Sequence, residues 1–582
     1  MQPHVLSSLA CDATWHLRPP SPCQWLQLTQ QRSLCASPWA GEGAGRLSRF
    51  CLSSTCCHQM LASPCRAAAR YGCLLARAQL QALHTSAAQL LAAPVGSESP
   101  GFSNASPLRV AVVGAGPAGC YTVDRLLHRF GDAVRVDLLE RLPAPFGLVR
   151  YGVAPDHGAT SSPVADKFTR LVAHPAVRLL CGAAVGDAEQ GGVPVSLLRR
   201  HYHAVVLAVG APGHRALRIP GESTLGNVCP ARDFVAWYNG HPEFSGPPPM
   251  DLRAGRHAVI VGLGNVALDC ARLLLRDPSS LAGTDMPSAV VAAFAQSTIR
   301  HVTLIARRSA AHVAATPKEL REVLNLPGVR CRLEHAELDE GDAAQLEAGP
   351  RPHRRALDEL LKASARDSGN AAADAGGDKT LTVLFKHSPV EVLGAPGGHV
   401  TALRLRANVM SGPSGARVAS LVADTARDVV LPADAVLTSV GYRGLPIDTG
   451  VPFDAATGTI PHVGGAVVDP GAGDAPVAGL FAVGWCKRGA TGIIGTNLTC
   501  AEDTVATLAE HAQAGRLHHP AEATHDEAAA RVLQALAASG ARVLSAHAWA
   551  QLDAAERARG TERGKPREKV TALQDMLAFA DR

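Results

Sequence analysis

The sequence predicts an α/β protein built on two separate Rossmann-like units, and two stretches carry that prediction. "RVAVVGAGPAGCYTVDRLL", from Arg109, and "AVIVGLGNVALD", from Ala258, each read as an apolar strand, a glycine turn and a helix with apolar residues at helical spacing. Length supports more than one core: 582 residues with 47% hydrophobic content predict two to four domains at about 100 to 200 residues each.

In the first unit the apolar run Val110 to Val113 precedes Gly114, Gly116 and Gly119 in G-x-G-x-x-G spacing. Gly114 permits the tight turn, Gly116 lets the backbone approach a pyrophosphate, and Gly119 allows close packing of helix on strand. The helix start offers unpaired N–H groups and the positive end of its dipole to phosphates. A second alternating strand, "VRVDLLERL", carries Glu140, 21 residues after Gly119. An acid there accepts hydrogen bonds from ribose hydroxyls, so a dinucleotide site is predicted.

In the second unit Gly262, Gly264 and Ala267 give G-x-G-x-x-A. The next strand, "HVTLIARRS", ends in Arg307 and Arg308 rather than in an acid. An acid repels a 2'-phosphate and two guanidiniums bind it, so the second dinucleotide is predicted to be NADP(H), leaving the first site free to hold FAD. Residues 276–300 intervene and are expected to form loops and an extra helix.

Other features exclude whole classes. Residues 1–100 hold seven Arg, no Lys and three acids, which leaves 49 basic against 48 acidic residues in the body. That balance lacks the basic footprint of a nucleic-acid binder. Eight of the fifteen Cys also lie in the first 100 residues; the other seven form no C-x-x-C pair, so no disulfide scaffold or zinc site is expected. No uninterrupted apolar run reaches spanning length, and any membrane contact is expected to be peripheral.

From Met60 to Ser97 there is no Asp or Glu, while Arg66, Arg70 and Arg77 sit on Ala and Leu. This is the pattern of a mitochondrial transit peptide. Residues 1–59 are rich in Ser, Pro and Cys without periodicity, and translation is expected to start at Met60. Residues 1–105 are accordingly assigned to a leader.

Two Gly-rich stretches remain. "RLPAPFGLVRYGVAPDHGAT", from Arg141, is poor in linker residues and is expected to be an ordered loop lining a cofactor. "GLFAVGWCKRGATGIIGTNLTC", from Gly479, repeats the strand, turn and helix plan, with Gly489, Gly492 and Gly495 allowing backbone to approach a flat ring.

Together "GAGPAGCYT", "PFGLVRYGVAPDH", "GLGNVALD", "ARR", "GYRGLPID", "GWCKRGATGIIGTN" and the late "RGTERGKPREK" resemble the mitochondrial NADPH:adrenodoxin reductases, the adrenodoxin-type ferredoxin-NADP(+) reductases. The resemblance runs from about residue 107 to the C-terminus. It implies a glutathione-reductase-like fold in which an NADPH domain, 214–443, is inserted into a split FAD domain, 106–213 and 444–582. "AVGAPGHRA" and "SVGYRGLP", each an apolar strand followed by a Gly- and Pro-bearing crossing, suit those boundaries.

Carried over by position, the resemblance implies FAD contacts at Ala118, Glu140, Leu148, Val185, Trp485, Gly492, Ile493 and Ile494, beside the glycines Gly114, Gly116 and Gly119. It implies NADPH contacts at Leu263, Gly264, Asn265, Val266, Arg307, Arg308, Glu319 and again Gly492, beside Gly262. Ala306 departs from the family's usual Gly, and Pro317 is expected to interrupt the segment leading to Glu319.

NADPH stacked on a flavin delivers a hydride directly to its N5, so orientation and electrostatics matter more than acid–base groups. The flavin then releases electrons singly, which suits a [2Fe-2S] ferredoxin. His157 and Asp269 are the candidates for a proton relay beside the flavin. An acidic ferredoxin needs a basic patch; "RPHRRALDELL" supplies Arg351, Arg354 and Arg355, of which Arg351 and Arg355 match the family's docking positions. "ASARDSGNAAADAGGDK", from Ala363, is expected to be a mobile surface loop, and the terminal basic cluster either borders a partner or solvates the chain end. The family implies a monomer in the mitochondrial matrix, possible contact with the inner membrane, and mitochondrial cytochrome P450 or iron–sulfur assembly downstream. Rival readings are a disulfide reductase, which needs a redox Cys pair absent here, a monooxygenase or glutamate-synthase-like electron-input subunit, and a redox sensor that holds both cofactors without turnover.

Overall fold

In a computed structural model, which describes residues 101–187, 191–348, 351–369, 378–412 and 417–580, the chain builds two large sheets, one mixed with a parallel centre and one wholly parallel, each layered with helices. The leader assigned to residues 1–105 lies almost wholly outside the described residues.

The first sheet takes strands from both ends of the described chain. Its order is His462–Val463, Ala466–Asp469, Ala475–Ala482, Ala204–Leu207, Leu108–Val113, Val134–Glu140, Val177–Cys181 and Leu544–Ser545. The central strands pair in parallel, with Val113 opposite Leu139 and Leu207. All six residues of Leu108–Val113 are buried, as expected of a parallel strand covered on both faces. Helix Pro117–Phe130 starts on a proline, where the missing N–H costs nothing, and stops at Gly131, whose N–H caps Leu127 O.

The second sheet is wholly parallel, in the order Val228–Pro230, Ala435–Thr438, His257–Val261, His301–Ala306, Lys379–Phe385 and Val329–Glu334. Residues 276–300 hold a 3-10 turn, Pro278–Leu281, and the helix Ser288–Ala295, so the predicted extra helix is present. An antiparallel sheet of His387–Gly394, Val400–Ser411, Val418–Leu421 and Val429–Pro432 packs beside it. Between the two large sheets the chain crosses twice, and the crossings pair with each other: Gly213–His214 runs antiparallel to Tyr442–Arg443. The fold is thus a Rossmann-like unit inserted into a split one.

Several sequence expectations change. "PFGLVRYGVAPDHGAT" is not a loop: it forms the helical turns Leu148–Tyr151 and Pro155–His157 and opens the helix Gly158–Val172. Pro317 does not interrupt the approach to Glu319. It is the first residue of helix Pro317–Leu324, where Thr316 Oγ1 accepts from the Glu319 N–H at 3.3 Å. A helical turn, Trp485–Arg488, stands between the strand and helix expected around Gly489. The expected loop from Ala363 begins as the end of helix Arg351–Gly369, and its residues 370–377 lie outside the described ones.

In the C-terminal basic cluster Arg559 and Arg563 are exposed, while Lys565 and Lys569 are buried in contacts of their own. Residues 560–570 strap the first unit to the inserted one. Lys565 Nζ donates to Met286 O at 2.6 Å, and Lys569 Nζ pairs with Asp285 at 2.9 Å and donates to Arg150 O at 3.2 Å. Glu568 accepts from the Ser288 N–H and hydroxyl at 3.0 and 2.7 Å. Beneath the strap Glu556, fully buried, accepts from both Arg150 nitrogens at 3.0 and 2.6 Å and from Arg567 at 2.9 Å. Burial alone would push the Glu556 carboxyl up, but Arg150 and Arg567 outweigh it and hold it below its usual value.

Removing one partner of a buried ion pair leaves the other charge uncompensated, which costs about 3–5 kcal/mol. Glu556→Gln is therefore expected to lower the unfolding free energy by about that much in urea titrations at neutral pH. Because the folded-state pKa is depressed, the Glu556 contribution is present above the ordinary carboxyl value of 4.5 and is lost as pH falls through the lower folded-state value. The gap between wild type and variant should accordingly narrow on acidification.

Candidate functional site

At the first glycine turn each glycine has its own steric reason. Gly114 has φ +105, and a Cβ there would lie 2.6 Å from Ala208 O. A Cβ on Gly119 would lie 1.9 Å from Gly114 O, so only glycine lets the helix sit this close. Gly116 has open space instead, its nearest neighbour being Gly147 Cα at 4.0 Å. No side chain caps helix Pro117–Phe130, so its first amides remain available to an anion. Glu140 ends its strand at the floor of the same cleft; Oε2 accepts from the Ala115 N–H at 2.9 Å and Oε1 from the Leu142 N–H at 3.0 Å. Desolvation raises its carboxyl against the pull of those two amides.

The cleft above this turn measures about 460 Å³. Gly114, Gly116, Ala118, Glu140, Leu148, Val185, Trp485, Ile493 and Ile494 all line it. Gly119 supports the turn from behind and Gly492 is not part of the lining; Gly492 has φ +79 and turns the chain beside Thr496. Trp485 Nε1 donates to Thr491 O at 3.1 Å, and its ring meets Tyr442 at 5.2 Å. Ile493, 65% exposed, sits at the mouth.

The sequence reading missed the cleft's other wall. Arg232, Val235, Ala236 and His241 come from the inserted unit, and Tyr442 from the second crossing. His241 packs on Tyr151 with the rings tilted and their centres 4.9 Å apart, and burial pulls its imidazole down to about 4, so it is neutral at physiological pH. No spacing rule in the sequence points to these residues, because the tertiary packing of two units places them there.

The second turn repeats the logic with one change. Gly262 has φ +129 and its Cβ would lie 2.3 Å from Ser439 O, while nothing lies within 4 Å of a Cβ on Gly264. At the third position Ala267 is fully buried, its methyl accommodated where Gly119 has no room for one. Leu263 is buried and Val266 packs against the core, so both present backbone rather than side chain to the turn. Asn265 Oδ1 accepts from the Thr316 N–H at 2.9 Å. Arg307 and Arg308 follow the adjacent parallel strand, the first exposed and the second half-buried. Neither guanidinium has an acidic partner among the described residues, and burial together with Arg307 lowers the Arg308 pKa. A pair of free, mutually repelling cations beside an open glycine turn suits a phosphate monoester.

His157 and Asp269 do come together, and Glu319 joins them: one ligand-type atom from each lies within 4.8 Å of the others. His157 Nε2 is 2.5 Å from Glu322 Oε2, and its Nδ1 is 3.8 Å from Glu319 Oε2. Burial pushes the Asp269 carboxyl up to about 6, with the nearby Arg272 opposing it. The Arg272 guanidinium, 2.7 Å from Asp269, supplies the positive charge that such a trio would otherwise draw from an ion. None of the three lines the cleft, although Asp269 is among the charges acting on Tyr442, which does. Arg351 and Arg355 are exposed at the start of helix Arg351–Gly369, which packs on the helix bearing Glu319.

Residues 108–337 match the pyridine nucleotide-disulphide oxidoreductase family. The human mitochondrial NADPH:adrenodoxin oxidoreductase is 42% identical over 473 residues, covering 81% of this chain and 91% of its own. The Arabidopsis thaliana protein of the same name is 38% identical over 485 residues, covering 82% and 97%.

The chain belongs to the NADPH:adrenodoxin oxidoreductase family.

FprA of Mycobacterium tuberculosis in complex with NADPH matches with a TM-score of 0.71 at 35% identity, over 82% of this chain and the whole of FprA. As an NADPH:adrenodoxin oxidoreductase the chain is an FAD- and NADPH-dependent flavoprotein, its NADPH domain inserted into a split FAD domain. The disulfide-reductase rival finds no chemistry here: the seven thiols among the described residues are free and buried, and burial first, then Glu140, pushes the Cys120 thiol far up.

The third motif position gives a paired test. Gly119→Ala is expected to displace Gly114 and abolish flavin retention, whereas Ala267→Gly should cost only about 1 kcal/mol of helix stability. Flavin content after gel filtration, with thermal melts, distinguishes the two.

Proposed function

We propose that this chain draws electron pairs from NADPH and passes them singly to an acidic [2Fe-2S] ferredoxin of the adrenodoxin type in the mitochondrial matrix. The observation that carries the reading is a single cleft walled by both nucleotide units, with Glu140 on one side and Arg232 and His241 on the other. The crossings at Gly213–His214 and Tyr442–Arg443 support domains at 106–213, 214–443 and 444–582. Human and Arabidopsis relatives are both named mitochondrial, which supports the compartment.

FAD, when bound, accepts two electrons together and releases them one at a time, as a one-electron carrier requires. Gly114, Gly116 and Ala118 would hold its pyrophosphate, Glu140 its ribose, and Leu148, Val185, Trp485, Ile493 and Ile494 its apolar surfaces, with Gly119 keeping the turn in place. For NADPH, the backbone from Gly262 to Val266 would take the pyrophosphate and Arg307 with Arg308 the 2'-phosphate. Gly492 would border both cofactors. Glu319 would contact NADPH, and His157 with Asp269 would govern the proton near the flavin. Arg351 and Arg355 would steer the ferredoxin, whose reduction would then slow with salt. The chain is read as a monomer with peripheral access to the inner membrane; among the described residues no helix is long and apolar enough to cross it. Mitochondrial cytochrome P450, in steroid metabolism, and iron–sulfur assembly are the proposed electron sinks.

One cuvette tests the reaction. NADPH should bleach the flavin, and cytochrome c should then be reduced only after ferredoxin is added. A protein that holds both cofactors without bleaching, or that consumes O2 stoichiometrically without ferredoxin, refutes the proposal in favour of a sensor or a monooxygenase. Replacing both Arg307 and Arg308 with Ala should raise KM for NADPH about a hundredfold or more, at roughly 1.5–3 kcal/mol per charged hydrogen bond. KM for NADH, which has no 2'-phosphate, should barely change.

A further inference from the structure

Arg272 was not singled out by any motif, yet it is 1% exposed and stands at the centre of the cluster that holds His157 and Asp269. It lies one turn beyond Asp269 on helix Asn265–Leu275. Its Nε and Nη2 form a two-pronged bond to Asp156 at 2.7 and 2.9 Å, across the boundary between the first unit and the inserted one. Asp269 Oδ1 is 2.7 Å from Nη2, Glu319 Oε2 is 3.6 Å from Nη1, and Glu322 Oε2 is 4.0 Å from Nη1. Nη1, Asp269 Oδ1 and Glu319 Oε2 are buried atoms that make no aligned hydrogen bond.

Charge counting shows what this cation does. Four carboxylates converge here: Asp156, Asp269, Glu319 and Glu322. Facing them are Arg272, the half-buried Arg276, 2.8 Å from Asp156, and the exposed Lys318, 3.9 Å from Glu322. One negative charge is left over, which a single proton on the cluster balances. The other packed elements add no net charge. Helix Ala231–Tyr238 brings the neutral Tyr238 and the Arg232–Asp233 pair, Cys270 and Tyr442 are neutral, and Lys379, on Leu275 O at the helix's far end, is opposed by Asp277.

We infer that Arg272 is a positioning residue for the His157–Asp269 pair: through Asp156 it holds the His157 turn against the Asp269 helix, and its buried charge keeps the cluster one proton short of neutral. The inference rests on the reading of His157 and Asp269 as proton-handling groups. Without Arg272 two negative charges are left over, and the cluster must take a second proton at a pH where the wild type holds one. Burial already pushes Asp269 up to about 6, and losing the opposing cation raises it further. An activity that needs ionised Asp269 then fails at higher pH.

The experiment follows flavin reduction by NADPH and ferredoxin-linked cytochrome c reduction from about pH 5 to 9 in holoenzyme. Wild type is compared with Arg272→Lys, Arg272→Met, His157→Gln and the His157→Gln/Arg272→Met double variant. In Arg272→Met the acid limb should move up by about one pH unit or more. Arg272→Lys keeps the charge but cannot fork Asp156, so it should restore the limb while lowering the plateau rate severalfold. If Arg272→Met does not retain flavin, the lysine variant decides alone, because a merely structural arginine predicts reduced thermal stability without that split. A pH profile unchanged in both variants overturns the inference, as does a double variant whose acid limb coincides with that of His157→Gln, since loss of the cation must raise Asp269 with or without the imidazole. Unchanged rates and profile in His157→Gln alone overturn instead the reading of His157 on which the inference stands.

Discussion

Buried charge pairs across the domain boundary are the interactions on which the rest of this structure depends. Apolar packing is non-directional and tolerates sliding, whereas a forked guanidinium–carboxylate pair in a dry setting has one good geometry. Arg272 on Asp156 makes one such tie, and Lys569 on Asp285 makes another on the C-terminal strap. Each unit could form its own sheet without the other. A nicotinamide held by one unit reaches a flavin held by the other only if their separation and tilt are set to within fractions of an ångström. The polar ties stand where that register has to be held.

The two glycine turns show how one local design takes on two roles. Both have a first glycine in left-handed backbone against a carbonyl and a middle glycine facing open space. They diverge where the next strand ends. Glu140 is a carboxylate held by two backbone amides, while Arg307 and Arg308 have no carboxylate among the described residues to quench them. The sign of charge at the strand end is what distinguishes the two turns.

The strand–turn–helix units, the acid, the paired arginines and the buried, unpaired thiols were all legible in the sequence, because each depends on neighbours in the chain. Misreadings cluster where distant residues decide. The stretch from Pro145 to His157 looked like a loop by its Gly and Pro content, but burial of Arg150 against Glu556, 406 positions away, holds it in helical turns. Pro317 is the exception, a local misreading: it takes the first helical position directly behind the capping Thr316. The basic cluster from Arg559 to Lys569 left its role open between a partner border and a solvated end, because the acidic and carbonyl partners of Lys569 and Lys565, Asp285 and Met286, lie about half the chain away.

By itself the sequence determined that two nucleotide units exist, which one carries the acid and which the arginines, and that no thiol pair stands behind the first turn. Hydrophobic period, glycine spacing and the sign of charge at a strand end are short-range properties, written within some thirty residues of each other. Tertiary structure alone decided that His241 and Tyr442 close the cleft, that Glu319 stands with His157 and Asp269, and that Arg272 meets Asp156, Asp269 and Glu319. Those assignments follow from which charges find partners when two separately folded units are pressed together, and a buried charge is settled by its three-dimensional surroundings.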